Sequence, residues 1–187
     1  MNDNTKIALT SLLVAIFIVN NRFLDPSPFW QANISLAIVT VIIAAFVMGP
    51  KWAAIVGGLG DMIGALVFPR GGPFFFEFTL SWILIGIIFG IFLYRKRNTS
   101  NARLLVNLII SSLLVYILIQ MGLTTLWLYL RFDAAWIALV AIRSWLFAIL
   151  LVSQIVISLP LLIFLRKPID KFLLTDDDME EEVPAID

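Results

Sequence analysis

Asp61 is the residue in this chain that most invites a catalytic reading. It stands in Gly58-Leu59-Gly60-Asp61, the Gly-x-Gly-Asp spacing of intramembrane aspartyl proteases. That chemistry needs two carboxylates sharing one proton across a water molecule. The second carboxylate is missing: apart from Glu77, at the mouth of a later apolar run, no other acid falls inside an apolar span. The chain contains no His and no Cys, which excludes Ser-His and Cys-His nucleophile pairs, most zinc sites and haem held by His. No Walker motif is present, so the chain does not power itself with ATP. What remains is binding. The sequence implies a non-catalytic protein with no metal and no cofactor.

Two segments carry the residues a binding site would use. The first is Asn20-Asn21-Arg22-Phe23-Leu24-Asp25-Pro26-Ser27-Pro28-Phe29-Trp30. The second runs Phe68-Pro69-Arg70-Gly71-Gly72-Pro73-Phe74-Phe75-Phe76-Glu77. Both are polar, aromatic and Arg-bearing. In the second, two prolines fix φ and two glycines free it, which is turn chemistry. Such aromatics either form an interfacial belt or cover a ligand by stacking and cation–π contact. Arg143 lies about ten residues into the last apolar run, either as an intramembrane functional residue or snorkelling to an interface. Thr124, Thr125 and Trp127, in G-L-T-T-L-W-L, stand near the end of the preceding run and are placed to face the same mouth.

These residues are positioned by elements that must lie in a bilayer. The chain is 61% hydrophobic and 14% charged, with a mean hydropathy of +1.00, whereas soluble domains run near 45–50% and 25%. A bilayer core about 30 Å thick takes about 20 apolar residues per helix. Six spans are expected, over 7–20, 34–48, 52–68, 76–94, 104–130 and 134–165, making an all-α integral membrane protein. The first is expected as a retained helix, since no cleavage-site pattern follows it. The second and third are short and joined only by Gly49-Pro50-Lys51. Lys6, Lys51, Arg95, Lys96, Arg97, Arg103, Arg166, Lys167 and Lys171 fall in the N-terminal segment, alternate connections and the C-terminus, while the other connections hold only Arg22, Arg70 and Arg131. The positive-inside rule then puts both termini in the cytoplasm and both aromatic loops outside. Residues 1–172 form one membrane domain. Residues 173–187, with T-D-D-D-M-E-E-E, read as a solvated acidic tail without order.

The third span is rich in small residues. Ala53, Gly57 and Asp61 share one helical face, Ala54, Gly58 and Met62 another, and Gly60 and Gly64 make a G-x-x-x-G pair. Small residues at this spacing let a second backbone approach closely, either within the molecule or from another membrane subunit. Asp61 inside a span needs a partner, and a hydrogen bond to a neighbouring helix or loop is the simplest.

The pattern resembles the S components, the substrate-binding membrane subunits of energy-coupling factor (ECF) vitamin transporters, and most closely their folate-type branch. The resemblance rests on N-R-F-L at 21–24, M-G-P-K-W-A-A at 48–54, G-G-L-G-D-M-I-G-A-L-V-F-P at 57–69, F-E-F-T-L at 76–80, G-L-T-T-L-W-L at 122–128 and Arg143, in order over roughly residues 5–172. It implies a multi-pass protein of the bacterial cytoplasmic membrane that binds a vitamin tightly on its outer face. The subunit then docks on a transmembrane T subunit carried by two cytoplasmic ATPases, topples in the lipid and releases the vitamin inside; nucleic acid has no part. The implied vitamin site comprises Asn21, Arg22, Phe23, Phe68, Arg70, Phe74, Thr124, Trp127 and Arg143, with residues 68–77 closing over it. The implied docking stripe is Ala8, Ala15, Ala54, Gly57 and Gly58.

Three departures from the folate-type pattern bear on the ligand. W-Q-A-N-I-S-L lacks the basic residue family members often carry before the second helix. R-S-W-L-F keeps the Arg of R-L-I-K-E but not its Lys and Glu. The loop F-P-R-G-G-P-F-F-F-E replaces F-P-T-G-x-Y-F-P-G. Folate is anionic and favours basic partners, for which Arg70 is a substitute; cobalamin, larger and less anionic, suits the aromatic mouth. A ligand-free assembly subunit is the alternative of a different class.

Overall fold

The computed structural model describes residues 3–24, 36–69, 74–94, 100–132, 137, 140, 141, 144 and 151–166. Among these residues all regular structure is helical. The chain forms α1 (Asp3–Arg22), α2 (Leu36–Met48), α3 (Pro50–Val67) and α4 (Phe76–Leu93). It continues through α5 (Asn101–Leu114) and a π-helical stretch, Val115–Leu123, directly into α6 (Thr124–Phe132). A last helix, α7, takes Leu151–Arg166.

The first five expected spans fall on helices, with ends shifted by a few residues. Among the described residues, three stretches are long and apolar enough to cross a membrane: Asp3–Arg22, Phe76–Leu93 and Asn101–Leu130. With 13 residues, α2 reaches only about 20 Å at 1.5 Å per residue. Most of the first half of the expected 134–165 run, and all of the 173–187 tail, lie outside the described residues. The π stretch was not foreseen, because nothing in its composition departs from an ordinary apolar helix.

Burial explains the arrangement. The inner stripe of α1 is narrow: Thr10, Leu13, Phe17 and Asn21, spaced at helical intervals. Many apolar side chains on the rest of α1 are exposed, including Ile7, Leu12, Ile16 and Val19. The outer face of α3 does the same with Ile55, Leu59, Ile63 and Leu66. Water would not tolerate so much exposed hydrocarbon, and lipid does. By contrast α2 is buried nearly all round, from Ala37 to Met48, and lies against α1, α3 and α4 at the centre.

Between α2 and α3 the chain reverses at Gly49, whose φ of +88° is open to glycine at little cost. Pro50 follows at the first helical position, where its missing N–H breaks no hydrogen bond. A Cβ at Gly49 would also sit 3.1 Å from the Tyr94 ring. From there α3 and α4 run antiparallel with their backbones nearly touching. A Cβ at Gly57 would lie 2.7 Å from the Trp82 carbonyl oxygen, and one at Gly86 2.5 Å from that of Ala53. One at Gly90 would overlap Pro50, and one at Gly60 the Phe17 ring of α1. Side-chain-free positions thus weld α1, α3 and α4 together.

Across the bundle, Arg166 Nη1 donates to Asn101 Oδ1 at 3.1 Å and Gln154 Nε2 to Ser112 Oγ at 2.9 Å. These two bonds set α7 antiparallel to α5. From α6, Thr125 Oγ1 donates to the Gln120 carbonyl in the π stretch at 3.1 Å, which occupies the carbonyl five residues back.

Candidate functional site

Polar residues concentrate where α1 and α3 end and α4 begins. Asp61, on α3, is 6% exposed. A carboxylate at that depth is costly unless paired and hydrogen-bonded, and neighbouring helices supply both. Thr79 Oγ1, on α4, donates to Asp61 Oδ2 at 2.7 Å. Arg22, the last residue of α1, brings Nη2 to 3.5 Å from Asp61 Oδ1 and donates to the Asp61 carbonyl at 3.4 Å. Gly64, one turn beyond Asp61, makes room for it: a Cβ there would stand 3.0 Å from Arg22 Nε. A fourth helix joins through Asn20 Nδ2, which donates to Thr40 Oγ1 on α2 at 3.1 Å.

Aromatic residues extend this end of the bundle. The rings of Phe23 and Phe68 meet edge to face at 5.1 Å, so the chain leaving α1 touches the chain leaving α3. Before and within the first turn of α4, Phe75 and Phe78 pair at 6.3 Å, and Phe74 is exposed beside them. Helix α6 packs against α4. It carries half-buried Thr124 and Trp127 and fully buried Thr125. Among the described residues the buried Trp127 indole N–H has no hydrogen-bond partner. A buried donor in that state is uncommon.

The structure therefore brings Asn21, Arg22, Phe23 and Phe68 together and sets Phe74 at the same end. Thr124 and Trp127 connect to them through α4. Arg70 and Arg143 lie outside the described residues. Of the small-residue stripe, Ala8 and Ala15 are exposed on α1, Ala54 is half-buried, and Gly57 and Gly58 are buried against Trp82 and Ile83 of α4. Sequence reasoning assigned no part in the site to Thr79 or Thr40. The available signal was the isolated Asp61, which required a donor from another helix, and F-E-F-T-L supplies the hydroxyl. Among the described residues no three His, Cys, Asp or Glu side chains gather as metal ligands would. The arrangement is suited to holding a polar, partly aromatic small molecule by hydrogen bonds, charge and ring contacts.

Residues 5–165 match the family model described as ECF transporter, substrate-specific component. The chain is 31% identical over 119 residues to the folate transporter FolT of Clostridium novyi (strain NT), a match covering 63% of this chain and 64% of that protein. It is 27% identical over 133 residues to the folate transporter FolT of Leuconostoc mesenteroides, covering 71% and 68%. Among solved structures, the crystal structure of FolT bound with folic acid is similar with a TM-score of 0.72 and 32% identity, over 81% of this chain and 89% of that one.

Proposed function

The chain belongs to the substrate-specific components of ECF transporters, and from that premise we propose that it is the folate-binding membrane subunit of such an importer. The observation that carries the ligand is the joint one of fold and site. The chain shares a fold and 32% identity with FolT bound with folic acid, and Arg22 is held by Asp61 at the end of the bundle where the rings of Phe23 and Phe68 meet. An anionic ligand with a flat ring system needs a cation and stacking surfaces. In this reading the vitamin contacts Asn21, Arg22, Phe23, Phe68, Arg70, Phe74, Thr124, Trp127 and Arg143. The subunit catalyses nothing.

The remainder of the cycle follows from the same proposal. Six spans with both termini in the cytoplasm put the Arg22 end on the outer face of the cell membrane. Residues 1–172 are the membrane domain and 173–187 an acidic cytoplasmic tail. Energy comes from a T subunit and two ATPases. Docking falls to the exposed side of α1 bearing Ala8 and Ala15, with Ala54 beside it; Gly57 and Gly58 act there by letting α3 and α4 close up beneath. Support for this division is burial: a residue already in contact with α4 has no surface left for a partner.

The aromatic, weakly basic mouth keeps cobalamin as the second ligand to test. Calorimetric titration of the detergent-purified protein with folic acid and, separately, cobalamin separates the two. Tight folic acid binding is expected; binding of cobalamin alone overturns the folate assignment, and binding of neither overturns both.

A further inference from the structure

We propose that Asp61 and Thr79 are positioning residues for the ligand site, acting through Arg22; this rests on the vitamin-binding reading above. An arginine at a helix end has a long side chain with many accessible rotamers. A cation free to wander would lose that freedom each time a ligand bound, and affinity would suffer. Here the freedom is removed in advance. Arg22 Nη2 is held twice by one residue, through an ion pair with the Asp61 carboxylate at 3.5 Å and a hydrogen bond to the Asp61 carbonyl at 3.4 Å.

The carboxylate itself is oriented. Thr79 gives its hydroxyl to Oδ2 at 2.7 Å, which leaves Oδ1 turned to Arg22. Thr79 is 2% exposed and Asp61 6%, so neither is placed to meet a ligand directly. Arg22 retains 13% of its side-chain surface, at the end of α1 beside the Phe23–Phe68 pair. The three residues come from three helices that the glycine contacts already hold in register. The chain of contact runs one way: a hydroxyl sets a carboxylate, and the carboxylate sets a guanidinium at the mouth.

The test is titration with folic acid of the wild type, Thr79→Val, Thr79→Ser, Asp61→Asn, Arg22→Ala and the double variant Arg22→Ala/Asp61→Asn, with thermal unfolding of each ligand-free protein alongside. Asp61→Asn is expected to weaken binding about tenfold to a hundredfold, the range for loss of a hydrogen bond to a charged group. Thr79→Val is expected to weaken it by less, and Thr79→Ser, which keeps the hydroxyl, to restore it. The decisive comparison is the double variant, which should bind no more weakly than Arg22→Ala alone. A merely structural role would instead make Asp61→Asn cost the same in both backgrounds, in step with lost thermal stability, and that result overturns the proposal. So does unchanged binding in Arg22→Ala, since there would then be nothing to position. A wild type silent to folic acid removes the folate reading and this inference with it, whereas wild-type binding with additive variants removes this inference alone.

Discussion

Gly57→Leu separates a glycine used inside the molecule from one offered to a partner. A Cβ at position 57 would lie 2.7 Å from the Trp82 carbonyl oxygen and 3.2 Å from its carbon. Ordinary contact begins near 3.4 Å, so α3 and α4 would have to part by about 0.7 Å for the first atom alone, and no rotamer relieves a clash with backbone. A gap of 0.5–1 Å forfeits roughly a quarter to a half of each dispersion contact along the seam. Overpacking costs about 1–3 kcal/mol, and a leucine with three further carbons belongs at the upper end. Replacing a helical glycine returns about 1 kcal/mol of propensity, leaving a net loss of about 2 kcal/mol. At roughly 2–4 °C per kcal/mol for a chain of this size, apparent Tm should fall by roughly 4–8 °C. Thermal unfolding in detergent measures it, with Ala15→Leu as the control. Ala15 is exposed on α1, and its enlargement should change Tm by little more than about 1 °C while reducing co-purification with the T subunit. A Gly57→Leu protein that melts with the wild type yet fails to assemble would refute the packing argument and return Gly57 to the docking surface.

Two other substitutions test other parts of the structure. Gly49→Ala forces a residue with a Cβ to φ +88° and ψ −175°, a backbone region essentially reserved for glycine, against the Tyr94 ring; holding another residue there costs about 1–3 kcal/mol, so unfolding in detergent should come several degrees earlier with folic acid affinity little changed. Trp127→Phe removes a buried indole N–H with no partner among the described residues; ligand-free stability should hold or rise, because an unsatisfied donor costs about 1–3 kcal/mol. If that donor serves the ligand, the same variant loses about tenfold in affinity by calorimetry, and unchanged affinity would take Trp127 out of the site.

Much of the fold was legible in the sequence because lipid imposes local rules. A helix that crosses or enters a bilayer must be apolar along its length, and its ends must change composition, so runs such as 76–94 and 104–130 declared themselves. The reversal at Gly49-Pro50 was equally local, since one residue's φ and one ring decide it. The two Arg-bearing aromatic segments were expected at one end of the bundle, because polar, turn-forming residues between apolar runs have few other places to go, and Phe23 of the first does meet Phe68 of the second.

What only the tertiary structure decided were the pairings between helices. Asp61 announced that it needed a partner, but not that Thr79, 18 residues on, and Arg22, 39 residues back, would both reach it. The small-residue faces of α3 read alike for an internal neighbour and an external subunit, because a glycine records only that something comes close. The structure puts Trp82 and Ile83 of α4 against Gly57 and Gly58 and leaves Ala8 and Ala15 outside. The π stretch belongs with these, being a register shift within one apolar helix. In lipid, composition determines that a segment is a helix and where it ends, while the rotation and register of each helix are set by which neighbour it packs against, and that is a property of pairs no single stretch of sequence carries.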